Sequence, residues 1–282
     1  MTPPIVYGEL VQLSPLVRRV TQNNPGLFAG PGTNTHLVGT TEVVILDPGE
    51  DRADGHFERL LAAVGPARVI AVIPSHGHPD HWPLAPRLAK AFGAPIRFFG
   101  DHPGFVTDQP LGDGERILVG GGPLTAIHTP GHTPDHLCFV LTDERALFPG
   151  DMAMEWSTSI IAPPEGDLAQ YLRSLERLLT IPDLVIGYPA HGPALAAPYD
   201  RIRQLIAHRR ARTRQLLTAL SEGPRQLGAL VTTIYADTDP ALHPAAAQSL
   251  LAHLLAVESE GVVERVPGSA SSQLEAVVWR LR

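Results

Sequence analysis

Residues 75–82 read SHGHPDHW and follow directly on the apolar run RVIAVIP at 68–74. A short apolar run closed by proline reads as a buried strand. The turn beyond it carries three imidazoles and a carboxylate in six positions. The pattern His-x-His-x-Asp-His arises by chance about once in a thousand chains of this composition. A rigid strand end holds side chains in fixed directions. His76 and His78, two apart on an extended or turning backbone, can point to one centre, while Asp80 and His81 point to a neighbouring one. One short motif thus seeds two cation positions.

The rest of the chain offers matching donors. The single cysteine, Cys138, excludes an internal disulfide and any thiolate-rich cluster supplied by this chain alone, so a metal must be held by His and carboxylates. Three further segments place such groups after apolar runs and beside Gly or Pro: HTPGHTPDH with His132, LFPGD with Asp151, and YPAHGP with His191. The two oxygens of a carboxylate can bridge two cations, which suits Asp151. The expected ligands are His76, His78, Asp80, His81, His132, Asp151 and His191, enough for two zinc ions, with Mn2+ or Fe as the other candidates. Open positions taken by water make such a site catalytic rather than structural. Asp47, in VVILDPG, is expected to orient a ligand imidazole. His128 and His136 stay outside the ligand set; His136 reads as a hydrogen-bonded histidine or a substrate contact. Trp82 and Trp156 fit pocket walls or packing equally well, and Cys138 reads as a buried, inert thiol.

With these motifs in this order, the chain resembles the metallo-β-lactamase superfamily. Asp47 matches the family's first acidic motif, residues 76–81 its His-x-His-x-Asp-His motif, and His132, Asp151 and His191 its later motifs. The resemblance implies an α/β (α+β) fold, the four-layer αββα sandwich, with a dinuclear zinc site at one edge. It also implies that His76, His78 and His132 take one metal, that Asp80, His81 and His191 take the other, and that Asp151 bridges. The segment NPGLFAGPGTNTHLVG and the chain beyond 199 resemble the branch with a C-terminal winged helix, of lactamase-beta-like protein 2 type, which includes an endoribonuclease and fungal polyketide thioesterases. The pair Trp82-Pro83 departs from the two glycines that many relatives carry there.

The remaining pattern agrees with layered α/β architecture. Apolar runs punctuated by Gly and Pro (THLVG, EVVILDPG, PIRFFG, RILVGGGPLTAI, HLCFVLTD, ALFPGD) read as strands, with a hairpin turn at Gly120–Gly122. Residues 53–64 and 167–180 carry helical periodicity. From 199 the pattern is helix, helix, helix, then strands VVERV and AVVWRLR around PGSASS, the order of a winged helix. The expected domains are 1–197, catalytic, and 198–282, a helical linker with a winged-helix-like domain.

Composition narrows the function. A net charge of −7 argues against sequence-blind polyanion binding by the whole surface. Residues 201–225 are nevertheless arginine-rich against one acid, Glu222, which would suit RNA phosphates. The expected recognition helix, 245–260, has no Lys or Arg, so packing or homodimer formation suits that domain better. No stretch is apolar enough for a membrane span and no secretory signal is visible, so the expected location is cytoplasmic and antibiotic degradation is disfavoured. The expected activity is hydrolysis of an ester, thioester or lactone in a small acyl substrate by a metal-bridging hydroxide, with Asp80 as catalytic residue. The alternatives are a single-strand-specific endoribonuclease, an iron-dependent oxygenase and a non-catalytic winged-helix regulator.

Overall fold

Residues 5–27, 29–267 and 277–282 are described by the structure, a computed structural model. The first sheet comprises β1 (Leu10–Gln12), β2 (Val17–Thr21), β3 (Asn34–Val38), β4 (Glu42–Leu46) and β5 (Arg68–Ile73), in that spatial order. β1 to β4 form an antiparallel meander; β5 joins β4 in parallel after the crossover helix α1 (His56–Val64). Helix α2 (Ala85–Phe92) follows the 75–82 turn, and a small parallel pair, β6 (Arg97–Phe98) and β7 (Gln109–Pro110), leads to the second sheet. That sheet contains β8 (Arg116–Val119), β9 (Gly122–His128), β10 (Leu137–Leu141), β11 (Ala146–Phe148) and β12 (Ile186–Gly187). Helix α3 (Leu168–Leu178) crosses over between β11 and its parallel neighbour β12.

Period-two alternation builds the layers. On β4, Val44 and Leu46 face the other sheet, while Val43 and Ile45 face α1 and α2. On β10, Leu137, Phe139 and Leu141 fill the space between the sheets, and Cys138 and Val140 lie under α3. Helix, sheet, sheet and helix therefore stack as αββα. Gly121 and Gly122, at φ 125° and 140°, make the expected β8–β9 hairpin turn.

Local chemistry trims the expected elements. The helix expected over 53–64 starts at His56, because Gly55 adopts a left-handed φ of 78°. The one expected over 167–180 begins after Asp167, whose carboxylate caps it by accepting from Gln170 N at 2.8 Å. Only Arg97–Phe98 of PIRFFG pairs as strand.

Helix α4 (Pro198–Ser221) serves two cores. Ile202, Leu205 and Ile206 pack with α3 on the second sheet, whereas Leu216 and Leu220 join a C-terminal core containing Leu230, Leu250, Leu254 and Trp279. That core holds α5 (Leu227–Ile234), α6 (His243–Ser259) and a three-stranded antiparallel sheet of β13 (Arg225–Gln226), β14 (Val263–Arg265) and β15 (Val278–Leu281). The expected order of helices and strands is present, with β13 as an addition; PGSASS beyond Pro267 lies outside the described residues. We propose the domain division at 197/198, with α4 as a shared wall.

Candidate metal centre

The sandwich brings five loops to one end. Asp47 follows β4, the 75–82 turn follows β5, His132 lies after β9, Asp151 after β11 and His191 after β12. Hydrogen bonds across the seam between the sheets lock these loops together. Leu137 N donates to Ser75 O at 2.8 Å, and Asn34 N to Ala190 O at 2.7 Å. The Asn34 amide also donates to Pro189 O and Gly192 O, at 3.0 and 2.8 Å, and so brackets His191.

All seven residues expected as ligands meet there, in overlapping groups. His76, His78 and His132 form one; Asp80, His81 and His191 form another; His76, His81 and Asp151 lie between, each group with donor atoms within 4.8 Å of one another. Asp151 Oδ2 lies 3.6 Å from His132 Nε2 in the first group. Its Oδ1 lies 3.4 Å from His191 Nε2 and 3.7 Å from His81 Nε2 in the second. Oδ1 is buried without a hydrogen-bond partner among the described residues. An orphaned buried carboxylate oxygen is costly. Its neighbours are nitrogen and carboxylate donors of the kind that hold a divalent cation, so the residues present fit a metal.

Electrostatics points the same way. Burial, reinforced by His81, His78 and His132 around it, pushes the pKa of His76 well below the ordinary value. Burial also brings His132 to about 4 against the opposing pull of Asp151. These imidazoles are neutral, as ligands must be. Burial works against a charged His81, yet Asp80, Asp47 and Asp151 outweigh it and raise its pKa to about 10. His191 is raised as well, burial being overcome by Asp151 and Asp80. The carboxylates thus favour positive charge at the positions of His81 and His191. Asp80 remains ionised: burial opposes this, but His81 and His191 hold its carboxyl well below the usual range.

Supporting residues set the orientations. Asp47 adopts a left-handed φ of 49°, tolerable for Asp, and its Oδ1 accepts from Ser75 N at 2.8 Å. The same oxygen lies 3.1 Å from His81 Nδ1, where it can orient that ring. His132 Nδ1 donates to Ile160 O at 2.8 Å. His136 is buried and turned away from the cavity: its Nε2 accepts from Asp151 N at 3.1 Å, which leaves Nδ1–H to donate to Thr129 Oγ1 at 2.9 Å. Gly150 makes this approach feasible, since a Cβ there would lie 2.6 Å from His136 Nε2. His128 stacks on Phe99 at 3.8 Å. Trp82 packs against Phe105 and the helices of the first sheet, so packing is its role, whereas Trp156 lines the cavity. Burial pushes the Cys138 thiol up to about 12, as an inert core residue requires.

The centre opens into a cavity of about 780 Å3. Sequence reasoning did not identify its far wall, which includes His208, Arg209 and Arg212 of α4, Tyr235 and Ser249. The arginine-rich helix signalled it only as local charge. Arg201 Nε donates to Met154 O at 2.6 Å and its Nη2 to Ser157 O at 2.7 Å; buried Arg209 donates to Ser159 O. These bonds clamp the segment that leads to Ile160. No helix among the described residues is long and apolar enough to cross a membrane.

Comparison with known proteins identifies the family and the fold. The family model of the metallo-beta-lactamase superfamily matches residues 29–191, and that of the beta-lactamase associated winged helix domain matches residues 227–271. An atrochrysone carboxyl ACP thioesterase of Aspergillus fumigatus is 34% identical over 226 residues, which cover 77% of this chain and 69% of that protein. A metallo-beta-lactamase family protein from Thermus thermophilus superposes with a TM-score of 0.79 at 25% identity, covering 96% of this chain and 100% of its own. A beta-lactamase domain protein from Burkholderia ambifaria gives a TM-score of 0.85 at 21% identity, over 100% of this chain and 95% of its own. The chain therefore belongs to the metallo-beta-lactamase superfamily, in the form with a C-terminal winged helix, and is a metal-dependent hydrolase of that superfamily.

Proposed function

We propose that the protein is a dinuclear zinc hydrolase of small acyl substrates, with thioesters as the favoured class. The observation that carries this reading is the division of Asp151 between the two groups, one oxygen toward His132 and the other toward His81 and His191. On this reading His76, His78 and His132 would hold one cation, Asp80, His81 and His191 the second, and Asp151 would contribute to both. Bound divalent cations bring the pKa of a coordinated water near neutrality and polarise an acyl oxygen.

The chain's own residues position and exclude. Asp80 faces the cavity as an ionised acceptor, with its Oδ2 3.3 Å from His191 Nε2, and so orients the attacking water by accepting its hydrogen bond. A carboxylate that holds a cation stays ionised, which makes Asp80 an orienting group rather than a proton store. A thiolate leaves without prior protonation far more readily than an alkoxide, its conjugate acid having a pKa of about 8.5. A thioester therefore asks least of a centre with this protonation pattern, and the thioesterase name of the Aspergillus relative supports the same class.

A metal-loaded preparation assayed against an N-acetylcysteamine thioester, an aryl ester, a lactone and labelled single-stranded RNA tests the reading, with metal content measured by mass spectrometry. The expected result is two zinc equivalents per chain and fastest turnover of the thioester. RNA cleavage without acyl hydrolysis would replace this reading with the endoribonuclease.

A further inference from the structure

The far wall of the cavity carries positive charge with no carboxylate to answer it. Two arginines elsewhere on α4 show the usual solution: Arg203 pairs with Asp200 at 3.0 Å and Arg210 with Glu176 at 2.7 Å. Among the described residues, Arg209 and Arg212 contact neutral oxygens instead. Arg209 donates to Ser159 O; Arg212 Nη1 donates to Ile234 O at 2.8 Å and to the Gln215 amide oxygen at 3.0 Å. The Nε of each is buried without a hydrogen-bond partner. Asp237 borders an adjoining cavity of about 340 Å3 that Arg212 shares, and no ion pair joins the two among the described residues.

A guanidinium cannot relieve its own burial by losing a proton. Arg209 is buried, and an uncompensated buried charge is costly, a counter-anion being the usual remedy; Arg212 beside it is only half-buried and borders the cavity, where an anion can reach it. The ring of Tyr235, 4.3 Å from the Arg212 guanidinium carbon, fixes the plane that such an anion would meet. The local field is consistently positive: burial first, then Arg209, Arg212 and Arg201, lower the pKa of His208 on the same wall. The acids of the cavity lie elsewhere. Asp80 and Asp151 belong to the metal centre, Glu165 acts on His78, and Glu50 pairs with Arg52.

We propose that this wall is an anion subsite, in which Arg212, supported by Arg209, binds a carboxylate or phosphate carried by the substrate while the scissile acyl bond lies at the metal end. This inference rests on the acyl-hydrolase reading and deepens it, since it makes the C-terminal domain the selector of substrate charge. A cavity of about 780 Å3 accommodates a ligand long enough to span both ends.

Two matched pairs of thioesters locate the anion. Glutaryl-N-acetylcysteamine and its methyl ester differ by a charge on the acyl side; acetyl-4′-phosphopantetheine and acetylpantetheine differ by a charge on the thiol side. In the wild type, one pair is expected to favour its charged member about tenfold in kcat/KM, the range of a charge-assisted hydrogen bond. That ratio is expected to fall near one in Arg212→Gln and to recover in part in Arg212→Lys. Taking the ratio within one protein removes any general loss of folding or metal. Calorimetric binding of glutarate and of 4′-phosphopantetheine to the metal-loaded wild type and to Arg212→Gln reads the subsite without turnover. If no thioester is hydrolysed, the functional reading fails and this binding alone decides the subsite. Ratios near one in both pairs for the wild type, or anion binding unchanged in Arg212→Gln, would overturn the proposal.

Discussion

At the scale of single residues, the centre depends on groups that never face the cavity. Asp47 is buried, left-handed and 3.1 Å from His81 Nδ1. Asp47→Asn keeps the volume but removes the charge that orients His81; metal affinity is expected to drop about 10–100-fold, read by competition with a chromogenic chelator. Wild-type affinity in that variant would show that backbone contacts alone hold the ring. Asp151→Ala is expected to lose at least one equivalent of metal and all turnover; full metal content by mass spectrometry, with activity, would remove Asp151 from the centre. Gly150→Ala forces a Cβ to 2.6 Å from His136 Nε2 at a φ of 51°. The expected cost is about 1–3 kcal/mol, seen as a shift in urea midpoint, and an unshifted midpoint would count against the His136–Asp151 contact.

At the scale of elements, α4 joins the two halves of the molecule. Its first half covers the second sheet with Ile202, Leu205 and Ile206, and its second half belongs to the C-terminal core. A fragment ending at residue 197 would expose the apolar surface under that first half, and exposed patches of this kind drive association. The fragment is expected to aggregate on size-exclusion chromatography, whereas one that is soluble, monomeric and metal-binding would restore the first unit's independence. Strands and motifs were legible because period-two runs end in Gly or Pro where a ligand follows. Helix α2 was not: it has eight residues, Pro86 in its first turn and no side-chain cap, so its periodicity is too short to register. β12, with two residues, carries no alternation at all. The cavity wall was hidden for another reason. Which carbonyls Arg201, Arg209 and Arg212 reach depends on where α4 docks, contacts between positions 22 to 50 apart and absent from any local pattern.

At the scale of the whole molecule, buried imidazoles shape the response to pH. Burial above all lowers the pKa of His56 to about 4 and those of His36 and His253 to about 3. Unfolded, each takes up a proton below the ordinary value of 6.5; folded, each stays neutral. The unfolded state therefore binds more protons between pH 6.5 and about 4, and stability falls as pH falls through that window. His81, raised to about 10 in the chain alone, works in the opposite sense between pH 10 and 6.5 and adds nothing further below. The Tm of chelator-treated protein is expected to peak near pH 6.5 and to decline toward about pH 4.5; a Tm still rising below pH 6 would contradict the buried neutral state. Adding zinc back at pH 7.5 is expected to raise Tm in proportion to the logarithm of free metal.

The bracket that Asn34 places around His191 also sets an order of events during synthesis. The last imidazole of the cluster leaves the ribosome 115 positions after His76, yet it is seated by an amide from the third strand, made long before. Nascent chains therefore carry an unfinished cluster from the synthesis of His76 until that of His191, and the last imidazole is seated only where the third strand already offers its amide. Completion of the cluster thus waits on a contact between the last of its loops and one of the earliest strands.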